Sequence, residues 1–354
     1  MDRYLITKDL SRHVLTVGID YKKPRGGIAA VLSIYAQFIE RFKFVRSTVS
    51  GNKVCKALIM ALCYCRLLWI FSTDKDIKIV HIHASSDASF WRKRLIVRLA
   101  KRRGKKVVFH CHSGRFADFR LRHTDKVDTL LRMCDVVVAL SAEWKEYFES
   151  IGCRRVVIIK NVIAPPTPAD APRDGKTHLL FLGLISRNKG IYDIIEVIGA
   201  HQAEWRGKIT LHIGGNGEIE TLRSKLKETG IEDIARFEGW VDREKKRALL
   251  NGADIYICPS YREGVPVAIL EAMSYRKPII TTPAGGIPSI VTDGVNGLLV
   301  EAGNREAIYE AITKLVDNPA LCRQMGNAGY EISREYWPEV IAEQLKELYM
   351  SLLS

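Results

Sequence analysis

Short β-branched and apolar runs alternate along the chain with stretches whose apolar residues recur every three or four positions. Val14–Ile19 reads as a strand, and the pair Gly26-Gly27 follows it. Ile28, Val31, Leu32, Tyr35, Phe38, Ile39 and Phe42 then fall at i, i+3, i+4, i+7, i+10, i+11 and i+14, which is one face of a helix. Ile77–Ile82, Lys106–His110, Val136–Leu140 and Arg155–Ile159 are further runs of strand length, with helix-length stretches between them. Strands alternating with helices predict a parallel α/β sheet. Ala164–Lys176 breaks the pattern with four prolines and no apolar periodicity, and reads as a linker.

The alternation then restarts. His178–Leu182, Lys208–Ile213, Ile234–Glu238, Asp254–Cys258, Pro278–Thr281 and Gly297–Val300 read as strands. After Trp337-Pro338 a closing helix is predicted, with Val340, Ile341, Leu345, Leu348 and Tyr349 on one face. The pattern divides the chain into a Rossmann-like domain (1–163), a linker (164–176), a second Rossmann-like domain (177–337) and a final helix (338–354). A length of 354 residues agrees with two domains, because single cores rarely grow beyond about 250–300 residues. Two such domains are expected to face each other across a cleft at the carboxyl ends of their strands, where open α/β sheets bind ligands.

Composition changes this picture little: 47% hydrophobic and 27% charged is that of a foldable globular chain. The first twenty residues hold no sustained apolar core of a secretory signal. Ala57–Phe71 is the most apolar stretch, but it spans 15 residues and contains Arg66, whereas a membrane-crossing helix needs about 20. It reads as a core or interfacial helix, with core favoured. The eight cysteines include no C-x-x-C pair, so zinc-ligand spacing is absent. Cysteines within apolar runs suit a reducing compartment, and a cytoplasmic location is expected.

Charge changes it more. Residues 1–160 carry 32 Lys and Arg against 14 Asp and Glu, whereas residues 161–354 carry 22 against 26. A basic half and a mildly acidic half suit different partners. Trp91–Lys106 holds nine Lys or Arg, with Leu95, Ile96, Leu99 and Ala100 predicted to face the core and the charges to face outward. Such a face suits an anionic membrane surface on the inner side of a cell. It could equally be a solvated helix face. No nucleic-acid module accompanies it.

The chemistry concentrates in Pro259–Ala272, PSYREGVPVAILEA. Glu263 lies just after a predicted strand, Gly264 and Pro266 make a tight turn, and a helix opening near Val267 carries Glu271. Free amides at that helix start suit a phosphate or a sugar hydroxyl. Carboxylates beside them can accept hydrogen bonds from sugar or ribose hydroxyls.

This string, continued as MSYRKPIITTPAGGIPSIVTDGVNGLLV, resembles the second domain of the family-4 glycosyltransferases (GT4, glycosyltransferase group 1). The resemblance spans nearly the whole chain. It implies a GT-B fold, with the last helix crossing back to the first domain. It also implies retaining transfer of a sugar from a nucleotide-diphosphate sugar to a saccharide or lipid-pyrophosphate-linked saccharide, in cell-surface polysaccharide assembly. By it, Glu263 meets the transferred sugar, Glu271 holds the ribose hydroxyls, and the backbone of Gly264, Val265, Pro266 and Val267 borders the sugar and phosphate. Lys189 matches the family's diphosphate-gripping lysine in GLISRNKG. The usual arginine position is Leu184, and Arg187 is the candidate substitute. Gly26 and Gly27 match the donor-facing glycine loop, and His112 matches a histidine that contacts the sugar near C6.

His110, His81 and His83 lie on neighbouring strand ends as secondary candidates. Gly214, Gly215 and Gly217 resemble a loop approaching the donor, and Gly239-Trp240-Val241 a segment beside the base. Asp74-Lys75-Asp76 has the form of a metal-binding D-x-D but sits at the amino end of a strand, so a turn is predicted there and no metal or other cofactor. The alternatives are a GT-B nucleotide-sugar epimerase and a non-catalytic sugar- or membrane-binding protein.

Overall fold

A computed structural model describes residues 4–22, 26–49, 53–171 and 174–354. The chain forms two compact units, Met1–Ala164 with Tyr336–Ser354, and Pro165–Glu335. Pro172 and Arg173 of the proline-rich segment lie outside the described residues.

The first unit is built on six strands: β1 (Val14–Ile19), β2 (Phe44–Thr48), β3 (Ile79–Ala84), β4 (Lys106–Cys111), β5 (Val136–Ala139) and β6 (Val156–Ile158). They pair in parallel in the order β2-β1-β3-β4-β5-β6. A parallel sheet covered by helices is buried on both faces, which is why its strands read as continuous apolar runs; every residue of β3 and of β5 is buried. The first crossover leaves β1 for β2 on one side, and the chain returns to β3 on the other. The carboxyl ends of β1 and β3 therefore flank the point where strand order reverses.

The second unit repeats the plan with β7 (Thr177–Ile185), β8 (Ile209–Gly217), β9 (Ala235–Gly239), β10 (Ile255–Cys258), β11 (Ile279–Thr281) and β12 (Gly297–Leu299). The order β12-β11-β10-β7-β8-β9, again parallel, is the doubly wound order, and its reversal lies between β7 and β10. Three helices of this unit start at side-chain caps: Asp242 accepts from the Lys245 amide, Asn304 from Ala307 and Asn318 from Leu321.

The helix after Gly26 runs Gly27–Phe38, shorter than the apolar pattern to Phe42 predicts. Ile39 turns extended and bridges to Ile6, so Ile39 joins the core from outside the helix. Helix Ala88–Arg102 is rotated by about one position from its predicted face. Leu95 is exposed, and the positions facing the core are Phe90, Lys93, Ile96, Val97, Leu99 and Ala100. Lys93 is the charge that does not point outward. Its amine is buried and donates to Ser47 Oγ, and burial pushes its pKa down to about 7.

Ala57–Phe71 departs furthest from the core helix that the sequence pattern favours. The helix there extends over Lys53–Thr73; among its described residues Cys63, Leu67 and Phe71, at i, i+4 and i+8, are fully buried in the core, and Met60, Tyr64, Leu68 and Ile70 pack half-buried against it. Val54, Leu58, Leu62 and Trp69 are 60–66% exposed, so most of this apolar helix is not core. The closing helix Pro338–Leu353 buries Ile341, Ala342, Leu345, Leu348 and Tyr349, while Val340 is exposed. It belongs to the first unit, where the Ile163 amide donates to the Tyr336 carbonyl (2.9 Å) and the Tyr349 hydroxyl meets His81 Nδ1 (2.7 Å).

Candidate functional site

In the second unit the predicted residues gather at the carboxyl ends of β7 and β10. Arg187–Lys189 forms a single 3-10 turn directly after β7. The loop after β10 is stitched to it: the Tyr261 amide donates to the Asn188 carbonyl (2.9 Å), and Asn188 Nδ2 donates to the Arg262 carbonyl (3.2 Å). Gly190, at φ +71°, lies so close to Pro259 that a Cβ would meet the Pro259 carbonyl oxygen at 2.2 Å. Beneath them the buried Tyr256 hydroxyl donates to the Leu182 carbonyl (2.9 Å) and fixes β10 to β7.

This stitching brings Lys189 and Glu263 into an ion pair. The Glu263 side chain is 10% exposed and also accepts from Ser260 Oγ at 2.8 Å. Burial is the largest influence on the Lys189 amine and lowers its pKa. The attraction of Glu263 and Cys258 and the hydrogen bond to Glu263 together outweigh it, so the net shift is upward. Lys189 is therefore a cation held at a strand crevice with one carboxylate beside it.

Val267–Ser274 is the predicted helix, and no side chain caps its start at Pro266. Its first amides are left for another acceptor. Val265 and Val267 are buried, while Gly264 and Pro266 are half-buried at the rim. Glu271, one turn into the helix, is ion-paired with Lys246 of helix Arg243–Gly252. A third loop, after β11, closes on the first two. The Gly286 amide donates to the Gly264 carbonyl (2.9 Å), and a Cβ on Gly285 would stand 1.9 Å from the Glu263 carbonyl oxygen.

Arg187 does not join this group: it is exposed, and its charge acts on Asp193 and Tyr261. Leu184 is 53% exposed, one residue before the end of β7. Gly214, Gly215 and Gly217 close β8, paired with Leu182, Gly183 and Ile185, and Gly239 ends β9 with Trp240 exposed beyond it. Lys246, Ser260, Gly285 and Gly286 were not singled out by the sequence. The two glycines do sit in the TTPAGGIPS string that carries the resemblance; nothing in REKKRALL marks Lys246 over its neighbours.

In the first unit Gly26, at φ +95°, is the N-cap of helix Gly27–Phe38, beyond the end of β1. His81 and His83 of β3 and His110 and His112 of and after β4 form a ladder of rings. His81 Nε2 meets His110 Nδ1 at 3.2 Å, and His83 Nδ1 meets His112 Nε2 at 2.9 Å. Burial pushes the His81 pKa down to about 3 and that of His112 to about 4, and carries His83 and His110 well below the usual value. All four rings are neutral at pH 7. Nitrogens of His81, His83 and His110 lie within 4.8 Å of one another, close enough to share a metal ion, though the nearby Lys93 charge opposes a cation there. Asp74–Asp76 is a turn: Asp74 accepts from the Asp76 amide (3.2 Å) and pairs with Lys43 (2.6 Å).

Two family models match the chain in succession: Glycosyltransferase Family 4 over residues 33–165 and Glycosyl transferases group 1 over residues 168–332. Among curated proteins, the phosphatidyl-myo-inositol mannosyltransferase of Mycobacterium leprae is 30% identical over 217 residues, covering 59% of this chain and 56% of its own length. The glycogen synthase of Mycobacterium tuberculosis is 25% identical over 249 residues, covering 68% of this chain and 60% of its own. The chain thus spans little more than half the length of these relatives. Among solved structures, sucrose-phosphate synthase from Thermosynechococcus elongatus superposes with a TM-score of 0.77 at 16% identity, over 96% of this chain and 99% of that one. Anabaena HepE in complex with UDP-glucose superposes at 0.74 and 17%, over 95% and 99%. The fold is GT-B, α/β with two Rossmann-like units, and the chain belongs to glycosyltransferase family 4.

Proposed function

We propose that this chain is a retaining glycosyltransferase that moves a sugar from a nucleotide-diphosphate sugar to a saccharide or lipid-linked saccharide in cell-surface polysaccharide assembly, working in the cytoplasm at the membrane face. The observation that carries the reading is the Lys189–Glu263 ion pair at the strand-order reversal, beside the uncapped start of helix Val267–Ser274. A diphosphate gains negative charge as the sugar bond breaks. A preorganised cation and unpaired amides stabilise that charge without reorganising. Lys189 and the amides near Val267 supply this here, with Arg187 as an outer cation, so the reading takes no metal. Glu263 lies where a carboxylate can face positive charge developing on the sugar. Retention follows if the acceptor hydroxyl attacks on the face of the departing phosphate, which takes its proton. Glu271, oriented by Lys246, receives the ribose hydroxyls. His112, neutral and bonded to His83 and Asn161, meets a sugar hydroxyl by exchanging its Asn161 bond for one to the sugar. The Anabaena neighbour binds UDP-glucose, which makes UDP the first nucleotide to try.

The test is thermal stability with saturating UDP, GDP, ADP and CMP, for wild type and Glu271→Ala. At a hundredfold excess over Kd a ligand adds about 2.7 kcal/mol. A shift from one nucleotide, lost in Glu271→Ala, names the donor base. Transfer should then fall about 10²–10³-fold in Glu263→Gln with nucleotide affinity kept, the size expected for one electrostatic contact to a transition state. The epimerase alternative finds no support in either family model. Leu184 in the place of the usual arginine favours a second reading, a non-catalytic sugar-binding protein. A Glu263→Gln protein that still supported polymer synthesis would establish it.

A further inference from the structure

Helix Lys53–Thr73 has the wrong outside for a helix in water. Val54, Leu58, Ala61, Leu62, Cys65 and Trp69 fall at i, i+4, i+7, i+8, i+11 and i+15, a single face, and all are exposed. Over Val54–Thr73 the mean hydropathy reaches 1.9 with 17% of the most apolar window buried. A surface helix of a globular protein turns polar residues outward, and contiguous apolar patches mark interaction sites. The helix is not free to cross a bilayer alone, because Cys63, Leu67 and Phe71 on its other face are locked into the core of the first unit.

What covers this face is indicated by the charges around it. Arg66 is exposed on the helix itself. Arg103 donates to Ser72 Oγ at its last turn (3.4 Å), and Lys105 Nζ stands 5.8 Å from the Phe71 ring. Lys105 also lines an adjoining cavity of about 560 Å³, whose other charged side chains are Lys75, Lys78, Lys106, Arg155 and Asp135, with Ser354 also at its wall. An apolar strip that runs into a basic cavity matches a bilayer surface with anionic headgroups: acyl boundary for Leu58, Leu62 and Trp69, headgroup phosphates for the cavity. A second copy of this chain would bring the same positive charge against itself.

We infer that the exposed face of helix Lys53–Thr73 and the basic cavity at its carboxyl end dock this chain on an anionic bilayer, with the helix lying in the interface. This deepens the membrane-facing part of the function proposed above but draws its support from the first unit alone. The test is sedimentation of the full chain with vesicles of phosphatidylcholine, with and without phosphatidylglycerol, at low and high salt. Wild type should bind the anionic vesicles and release in salt. Leu62→Glu with Trp69→Ala, both at exposed positions, should lose binding by tenfold or more. Lys75→Gln with Lys78→Gln and Lys106→Gln should weaken binding by about fivefold per charge and flatten the salt dependence. Brominated acyl chains should quench a part of the tryptophan signal that Trp69→Phe lacks. Vesicle binding unchanged by Leu62→Glu/Trp69→Ala overturns the proposal. So does a failure of wild type to bind, with or without self-association that the same substitutions abolish. Nucleotide binding measured on the same proteins separates the two readings: a chain that binds nucleotide and ignores vesicles loses only the docking.

Discussion

Lys246 holds the carboxylate of Glu271, and that pair is 16% exposed on the acid side and 30% on the base. If Glu271 receives the ribose hydroxyls as proposed, it works best with its rotamer already chosen, because ordering a side chain at binding lowers affinity. Lys246→Met is predicted to weaken nucleotide binding by about tenfold, the scale of one charged hydrogen bond, with little change in Tm. Lys245→Met is the control: its amine serves Glu238 instead, at 3.0 Å from the carboxylate. Calorimetric titration of both decides, and equal affinities would mean that Glu271 needs no partner. Lys189, Glu263 and Glu271 were legible in the sequence because each stands at a fixed place in a string with a turn and a helix start. Lys246 was not, because adjacent residues on a helix point about 100° apart and only the packing of Arg243–Gly252 says which of the two lysines faces Glu271.

Elements were legible where burial is two-sided. The runs at Val14–Ile19 and Lys106–His110 stand out because both faces of a parallel strand are covered. β2 was missed: it is the edge of its sheet, five residues long, with Phe44 half-buried and Arg46 exposed between buried neighbours. Periodicity also misplaced faces. It cannot tell a helix residue from a core residue just beyond the helix, as at Ile39, nor a buried lysine from a surface one, as at Lys93. The loop after β11 offers a test at this scale. Gly285 has φ +56° and its Cβ position is blocked by the Glu263 carbonyl at 1.9 Å; Gly294 has φ +73° with nothing within 4 Å. Gly285→Ala and Gly294→Ala share a left-handed backbone cost of about 1 kcal/mol. Only the first must also push back the loop that carries Glu263. Gly285→Ala should therefore lower Tm several degrees further than Gly294→Ala and weaken nucleotide binding, whereas Gly294→Ala leaves binding intact. Equal melting of the two would show that the loop after β11 does not brace Glu263.

For the molecule as a whole, the described histidines that are fully buried all lie in the first unit. The buried ladder of His81, His83 and His110 belongs to the first unit, and each ring is held neutral by burial. In the unfolded chain a histidine titrates near 6.5. Above that pH neither state binds the protons, and the rings add no pH dependence. As pH falls below it the unfolded chain takes up protons that the folded unit refuses, so stability drops until the folded pKa values are reached, about 3 for His81. Between pH 6.5 and 5.5 the loss is about 1 kcal/mol for each ring, and each kcal/mol moves Tm by roughly 2–4 °C for a unit of this size. Melting curves from pH 7.5 to 5.5 should show a fall of several degrees, and hydrogen exchange at pH 5.5 should quicken first in β3 and β4. A saturating nucleotide, by contrast, should protect the loops after β7, β10 and β11. A Tm that stays flat to pH 5.5 would mean that the folded ladder accepts protons, and that its rings are less enclosed than the packing of Tyr35 and Tyr349 against them indicates.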